Sequence, residues 1–481
     1  MNLTPAAFIR KQTIVIFVFS LLLIPNLLMT ASGTTLLALN ALPSESGNGN
    51  SSDYSEAGIK NTSPTSSEED VNGVLYRTLT LKDAEHLALL NDATVLSAEQ
   101  DKIVAAERVK EATYLFLPEI GVQASASQYN ALYPFALPTA GNAVLFPQSN
   151  SQYGSNSNSL IFGGGYMNLN LYEGGRGVNT LKLAQAAQKQ AESNYESARM
   201  NVILSVKKLF YTLLLAQKKA SVDYEYYSSV KKISLGTNLS PWDQIEAESQ
   251  VAKAEAQYAK SSHVLEMEKI KFLKGLNLEL DTPFKIVGEL ETTPITMDVE
   301  KIILWALELR PELQSETYKA QMDAISVNLA QARRTPTVFL SGDYDILSTQ
   351  NSPINKNNWD ATLGLKLPFA YDYLSELDKK RAEQRQGDIK RSELQDQVRL
   401  EVRQAYSDIV YWQKEYPLLQ NQYLRIEKLY EKAAAPPGNI VLKIHALTAI
   451  AHLKISYLEA VTQHLLAKAT LERAVGREIS Q

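Results

Sequence analysis

Four stretches of the chain alternate between apolar residues and polar or small ones. In 119–128, Ile120, Val122, Ala124 and Ala126 alternate with Gly121, Gln123, Ser125 and Ser127. In 161–172, Met167, Leu169 and Leu171 alternate with Tyr166, Asn168 and Asn170. Further on, Val338, Leu340, Tyr344 and Ile346 face away from Ser341, Asp343 and Asp345, while Trp359, Ala361, Leu363, Leu365, Leu367 and Phe369 face away from Asp360, Thr362 and Lys366. Successive side chains of a strand point to opposite faces, so this period of two predicts four strands, each apolar on one side. Their expected spans are about 119–129, 160–172, 337–347 and 358–370.

A different period governs the segment after each strand pair. Ala187, Ala191, Tyr195, Ala198, Val202, Val206, Leu209, Leu213, Ala216 and Ala220 advance by threes and fours, as do Val398, Val402, Ala405, Ile409, Trp412, Tyr416, Leu419, Tyr423, Ile426 and Tyr430. That spacing is the seam of a coiled coil. It predicts long helices at about 176–235 and 373–433, each leading to a shorter one, at about 241–276 and 440–476. At 1.5 Å per residue the first would be roughly 90 Å long, far beyond what a globular domain needs. Pro417 is expected to interrupt and kink the second, because it removes a backbone donor.

The two halves are copies. "ATVLSAEQDKIVAAERVKEATYLFLPEIGV" from Ala93 matches "PELQSETYKAQMDAISVNLAQARRTPTVFL" from Pro311, so that Pro118 falls on Pro336; "LNLYEG" corresponds to "LPFAYD", Gly236 to Gly438 and Gly275 to Gly476. Each unit reads helix, strand, strand, long helix, helix, over 75–290 and 291–478. The fold class is therefore mainly α with a β portion.

The N-terminus changes the picture. Arg10 and Lys11 precede an apolar run broken by Pro25, and Ala31 and Gly33 stand before a plausible cut, so 1–33 reads as an export signal. The run is shorter than the ~20 residues of a spanning helix. Residues 34–74, rich in Ser, Asn, Gly and acids, read as a disordered leader. The absence of cysteine excludes disulfides and thiolate metal sites, and a net charge of −5 over 481 residues gives no footprint for nucleic acid.

Strands of about ten residues with one apolar face have the pattern of a transmembrane barrel wall. Four cannot close, and an open edge in lipid leaves unpaired backbone groups at several kcal/mol each. An open channel needs more than the roughly eight strands of the smallest barrel, and three copies of four make twelve.

In its unit order, its duplication, "LYEGGR" after the second strand and "LGTNLSPWDQIEAESQVAKAEAQY" at the first helical turn, the chain resembles the outer-membrane efflux proteins of the TolC family over about residues 75–478. The resemblance implies a homotrimer sharing a twelve-stranded β-barrel in the outer membrane of a Gram-negative bacterium, continued by an α-helical coiled-coil tunnel across the periplasm. It implies a passive duct, not an enzyme, that docks on a periplasmic adaptor protein and an inner-membrane transporter of RND, ABC or MFS type, for efflux or type I secretion of drugs, metals or polypeptides. It calls for no cofactor. Strands would run outward from Pro118 and Pro336 and return at Leu171 and Phe369, leaving 130–158 and 348–358 outside the cell.

Two groups of residues then carry the expected function. At the barrel–tunnel junction, Gly174 and Gly175 allow dihedrals closed to other residues and turn a tilted strand into a near-axial helix, where the second copy relies on Pro368. Arg176 beside them sits near lipid head groups, pairs with an acid, or is simply solvated. At the periplasmic tip, the resemblance implies closure and adaptor contact around Gly236, Thr237, Ser240, Asp243 and Glu246 in one turn, and Gly438, Asn439, Lys443 and His445 in the other. Ser240 suits an N-cap, Pro241 the first helical position and Asp243 the positive helix end. Lys443 and His445 stand where family members commonly carry acids.

Other chemistry finds little support. His445, His452 and His464 are spaced unlike helical zinc ligands, which lie four apart with an acid nearby, and read as solvated or interhelical. "FGGGY" at 162–166 lacks the lysine and serine or threonine of a phosphate loop. No catalytic constellation stands out. The alternative to a duct is a periplasmic coiled-coil scaffold whose alternating segments are linkers.

Overall fold

The structure, a computed structural model, describes residues 68–71, 74–129, 136–139, 142–145, 158–235, 240–349, 352–369, 371–433 and 440–479. The expected signal and most of the expected leader lie outside them.

Each repeat opens with two helices. In the first, α1 (Leu81–Asn91) and α2 (Ala93–Tyr114) lead into the strand β3 (Glu119–Tyr129); in the second, α5 (Val299–Leu309) and α6 (Pro311–Ala332) lead into β8 (Thr337–Thr349). Caps set these boundaries. Thr80 and Asp83 form a reciprocal capping box at α1, and the Asp92 carboxylate accepts from Thr94 N and Val95 N at α2. Pro118 and Pro336 sit between helix and strand, where a residue without an N–H neither continues the helix nor breaks the sheet ladder.

The return strands are β6 (Asn158–Tyr172) and β9 (Ser352–Lys366). The four form one antiparallel sheet in the order β3-β6-β8-β9. Register places Tyr166 opposite Gly121 and Asp343, and Asp343 opposite Asp360, so the polar positions share one face. The other face carries Ile120, Val122, Trp359, Leu363 and Leu365, all well exposed. The second hairpin departs from expectation. β8 runs on to Thr349 and β9 begins at Ser352, so most of the expected outer loop 348–358 is strand. Its polar residues, among them Asn355, Asn357 and Asn358, hide a strand from a hydrophobicity pattern; pairing with β8 supplies what the pattern lacks. In the first outer loop a small hairpin, β4 (Ala136–Thr139) with β5 (Asn142–Leu145), is the described part.

From β6 the chain enters α3 (Arg176–Ser234), 59 residues long, then α4 (Pro241–Gly275); from β9 it enters α7 (Tyr373–Ala433), 61 residues, then α8 (Ile440–Val475). These bounds match the seam reading to within two residues. α7 runs through Pro417 without interruption, contrary to expectation. One lost hydrogen bond costs a few kcal/mol, and a helix packed against α6 and α8 tolerates it.

Two apolar cores hold the repeats. One gathers Ile302, Ala306, Val398, Val402, Ile409 and Leu471; the other gathers Leu79, Ala84, Val206, Phe210, Leu213 and Phe272. Seam positions thus become buried contacts, at roughly 1.5–3 kcal/mol for each large side chain. A short sheet braces the second core. β1 (Glu68–Val71) pairs with β2 (Val74–Leu79), which pairs in parallel with β7 (Phe284–Ile286). β1 lies inside the expected leader. Its polar composition concealed it, and the partner that orders β2 lies some two hundred residues away.

Candidate functional site

The junction between sheet and helices is built as the glycine pair requires. Gly174 has φ 64° and Gly175 φ 82°, both left-handed, where a Cβ is strained. A side chain at Gly174 would also run into Thr335, in the turn that precedes β8, so the first repeat's bend packs against the second repeat's strand entry. The second junction has no left-handed residue among those described. Leu367, Pro368 and Phe369 leave β9 without regular secondary structure before the turn at Tyr371 and Asp372.

Around the junction lies a cavity of about 370 Å³ lined by Arg176, Ala332, Arg333, Thr335, Thr337, Lys366 and Pro368. Thr337 and Lys366 are register partners on the polar face of the sheet. Arg333 pairs with Glu376 and lies 3.5 Å from Asp372. Arg176 is exposed and has no ion pair among the described residues.

At the far end, Ser240 caps α4 as expected: its Oγ accepts from Asp243 N at 3.3 Å, with Pro241 in the first turn. Glu246 is brought to His445 of the other repeat, Oε1 to Nε2 4.0 Å, and accepts a hydrogen bond from Gln250 at 2.8 Å. Beneath them Val230, Ala247 and Ile444 form a small apolar plug. Lys443 is half-buried, as is Asp243. Gly236, Thr237, Gly438 and Asn439 lie outside the described residues. A feature that the sequence reading missed is the apolar surface here: Leu235, Trp242, Ile245 and Leu442 are all more than half exposed. An apolar residue directly flanking a cap was its available signal.

Between junction and tip, ion pairs tie the repeats. Lys207 donates to Glu472 at 2.8 Å, Lys454 to Glu225 at 3.1 Å, and Lys219 pairs with Glu459. Glu312 gathers Arg473, Ser197 and, at 3.1 Å, Arg310, which reaches Glu401 at 2.6 Å. Burial pushes the Glu312 carboxyl up, but the Ser197 hydroxyl and the Arg473 charge override it and hold it below the usual carboxylate range. His464 is fully buried in α8, edge-on to Tyr416, neither ring nitrogen having a partner. Burial, with help from Lys468, lowers its pKa. No group of His, Asp or Glu among the described residues is arranged to hold a metal ion.

The comparisons agree with this geometry. Residues 85–233 match the family model described as outer membrane efflux protein. Nothing among curated proteins matches the chain. The CmeC outer membrane channel of Campylobacter jejuni superposes with a TM-score of 0.68 at 16% identity, covering 82% of this chain and 85% of that one. VceC of Vibrio cholerae gives 0.67 at 13%, covering 83% and 96%, and the open state of the Neisseria gonorrhoeae MtrE channel gives 0.65 at 15%, covering 82% and 89%. At such identities these likenesses speak for fold. With a family match over residues 85–233 and a fold shared with these channels over both repeats, the chain is similar to the outer membrane efflux proteins.

Proposed function

We propose that the protein is the outer-membrane exit duct of a tripartite efflux or type I secretion system, a passive conduit made by three copies. The carrying observation is the sheet: four strands with an apolar outer face, and two edge strands, β3 and β9, that have no outward partner among the described residues. Such edges are too costly for lipid unless neighbouring copies pair them. α8 supports the same reading. Part of it reaches a mean hydropathy of 1.2, yet little of that part is buried within one protomer. Other copies are the natural cover.

The repeats are the structural domains of this duct, 75–290 and 291–478. The tip residues Ser240, Asp243, Glu246, Lys443 and His445 form the periplasmic gate with the adjoining turns, and the exposed Trp242, Ile245 and Leu442 meet the adaptor, which hands over cargo from an inner-membrane transporter. Fractionation tests the duct: a heat-modifiable, trimer-sized species in the outer membrane is expected, and a soluble monomer would leave the scaffold reading in its place. A cysteine at Asn150 should be labelled on intact cells; failure to label in an assembled trimer would reverse the proposed topology.

A further inference from the structure

We propose that the cavity at the barrel–tunnel junction is a binding site for an oxyanion, the phosphate or carboxylate group of a soluble molecule. Three cationic side chains from three elements converge on it: Arg176 opens α3, Arg333 closes α6 and Lys366 ends β9. Asp372 and Glu376 neutralise Arg333. Arg176 and Lys366 have no ion pair among the described residues, so the cavity keeps a positive surplus.

The helix start adds to that surplus. Gly175 offers no side-chain cap, the first turn of α3 has no acid, and its first residue is Arg176. A helix N-terminus presents unbonded N–H groups and about half a positive charge, so a guanidinium there is unfavourable unless an anion joins it. Hydroxyl groups complete the lining. Thr337 Oγ1 spends its proton on a long bond, 3.4 Å, to the Lys366 carbonyl, and a rotation would redirect it to a ligand.

Register decides between a soluble and a lipid source. Thr337 and Lys366 lie on the polar face with Asp343 and Asp360, whereas their neighbours Val338 and Leu365 lie on the apolar face. A lipid head group would approach from the apolar side. A solute in the duct meets the polar side, and there, on the proposed reading of a trimeric duct, three such cavities surround one bore.

The test is calorimetric titration of pyrophosphate into the purified full-length protein in neutral detergent. Saturable binding is expected, weakened as salt rises, at least tenfold weaker in Arg176→Gln and in Lys366→Gln, and restored by Lys366→Arg. Heat-modifiable mobility checks that each variant assembles, and two variants on separate elements guard against one that does not. Absence of binding to the wild type, or affinity unchanged in both assembled variants, overturns the site. Phospholipid that copurifies with the wild type and is lost from Arg176→Gln, without pyrophosphate binding, overturns the soluble source in favour of a head group. Every lining residue belongs to one chain, so pyrophosphate binding by a soluble monomer would uphold the site and sink the duct, while an outer-membrane trimer that binds none would do the reverse.

Discussion

Gly275 and Gly476 close α4 and α8, and twelve residues before each stands a histidine: His263 and His464. His263 is exposed on α4, while His464 is sealed inside α8 against Tyr416. The two junctions differ as much. Gly174 and Gly175 bend the first in left-handed backbone, and the second leaves its strand through Pro368 without a left-handed residue among those described. A duplicated sequence makes the same elements twice, but its copies occupy different neighbourhoods, so equivalent positions carry different burdens.

The sharpest break in this comparison should come at Gly174. Gly174→Val introduces a Cβ at φ 64° and against Thr335, and should cost several kcal/mol, read as loss of the assembled, heat-modifiable form. Thr335→Ala in the same chain should restore part of it. Pro368→Ala should cost less than about 1 kcal/mol, because Pro368 is only partly buried and the described backbone there is not left-handed. Equal losses at the two junctions would mean that both bends are equally constrained and would remove the contrast between them.

The next effect concerns the polar tie between the repeats. Glu312→Gln leaves Arg473 and Arg310 short of a carboxylate and should destabilise by about 1–3 kcal/mol, measured by denaturant midpoint, since the site is only partly exposed. The depressed pKa of Glu312 gives this tie a pH signature. Its contribution is full above the unfolded carboxylate value and is lost as pH falls through the folded one, so the variant's deficit should shrink on acidification.

A smaller effect comes from the buried histidine of the second repeat. His464 is kept neutral in the folded state, its pKa lowered by burial and by Lys468, so the unfolded chain binds the proton first. Stability should therefore fall as pH drops below the ordinary histidine range, near 6.5. His464→Phe should flatten the thermal midpoint between pH 7.5 and 5.5. A wild-type slope unchanged by His464→Phe would place the sensitivity elsewhere.

The least effect is expected at the tips, one bearing Asp243 and Glu246 and the other Lys443 and His445. Lys443→Asp should move the reversal potential in a salt gradient modestly towards cations. At an effective dielectric constant of about 20, like charges ~8 Å apart repel by roughly 2 kcal/mol before screening, enough to bias a narrow ring. No shift in a well-assembled trimer would remove Lys443 from the bore.

By itself the sequence determined everything governed by local period and local chemistry. The bounds of β3, α3, α4, α7 and α8 come from residue spacing, from Ser240 and Pro241 at a helix start and from Gly174 and Gly175 at a bend, because propensity and side-chain alternation are properties of neighbours along the chain. Tertiary structure alone decided what depends on partners far away. Only pairing drew the largely polar segment 352–358 into β9 and joined β2 to β7, only register put Asp343 opposite Asp360, and only packing set Gly174 against Thr335 and Glu246 beside His445. It likewise buried His464 and left His263 in solvent. Burial and charge partnership are settled by the elements that happen to lie across a gap, and a repeat read twice along one chain carries no record of which neighbours each copy will meet.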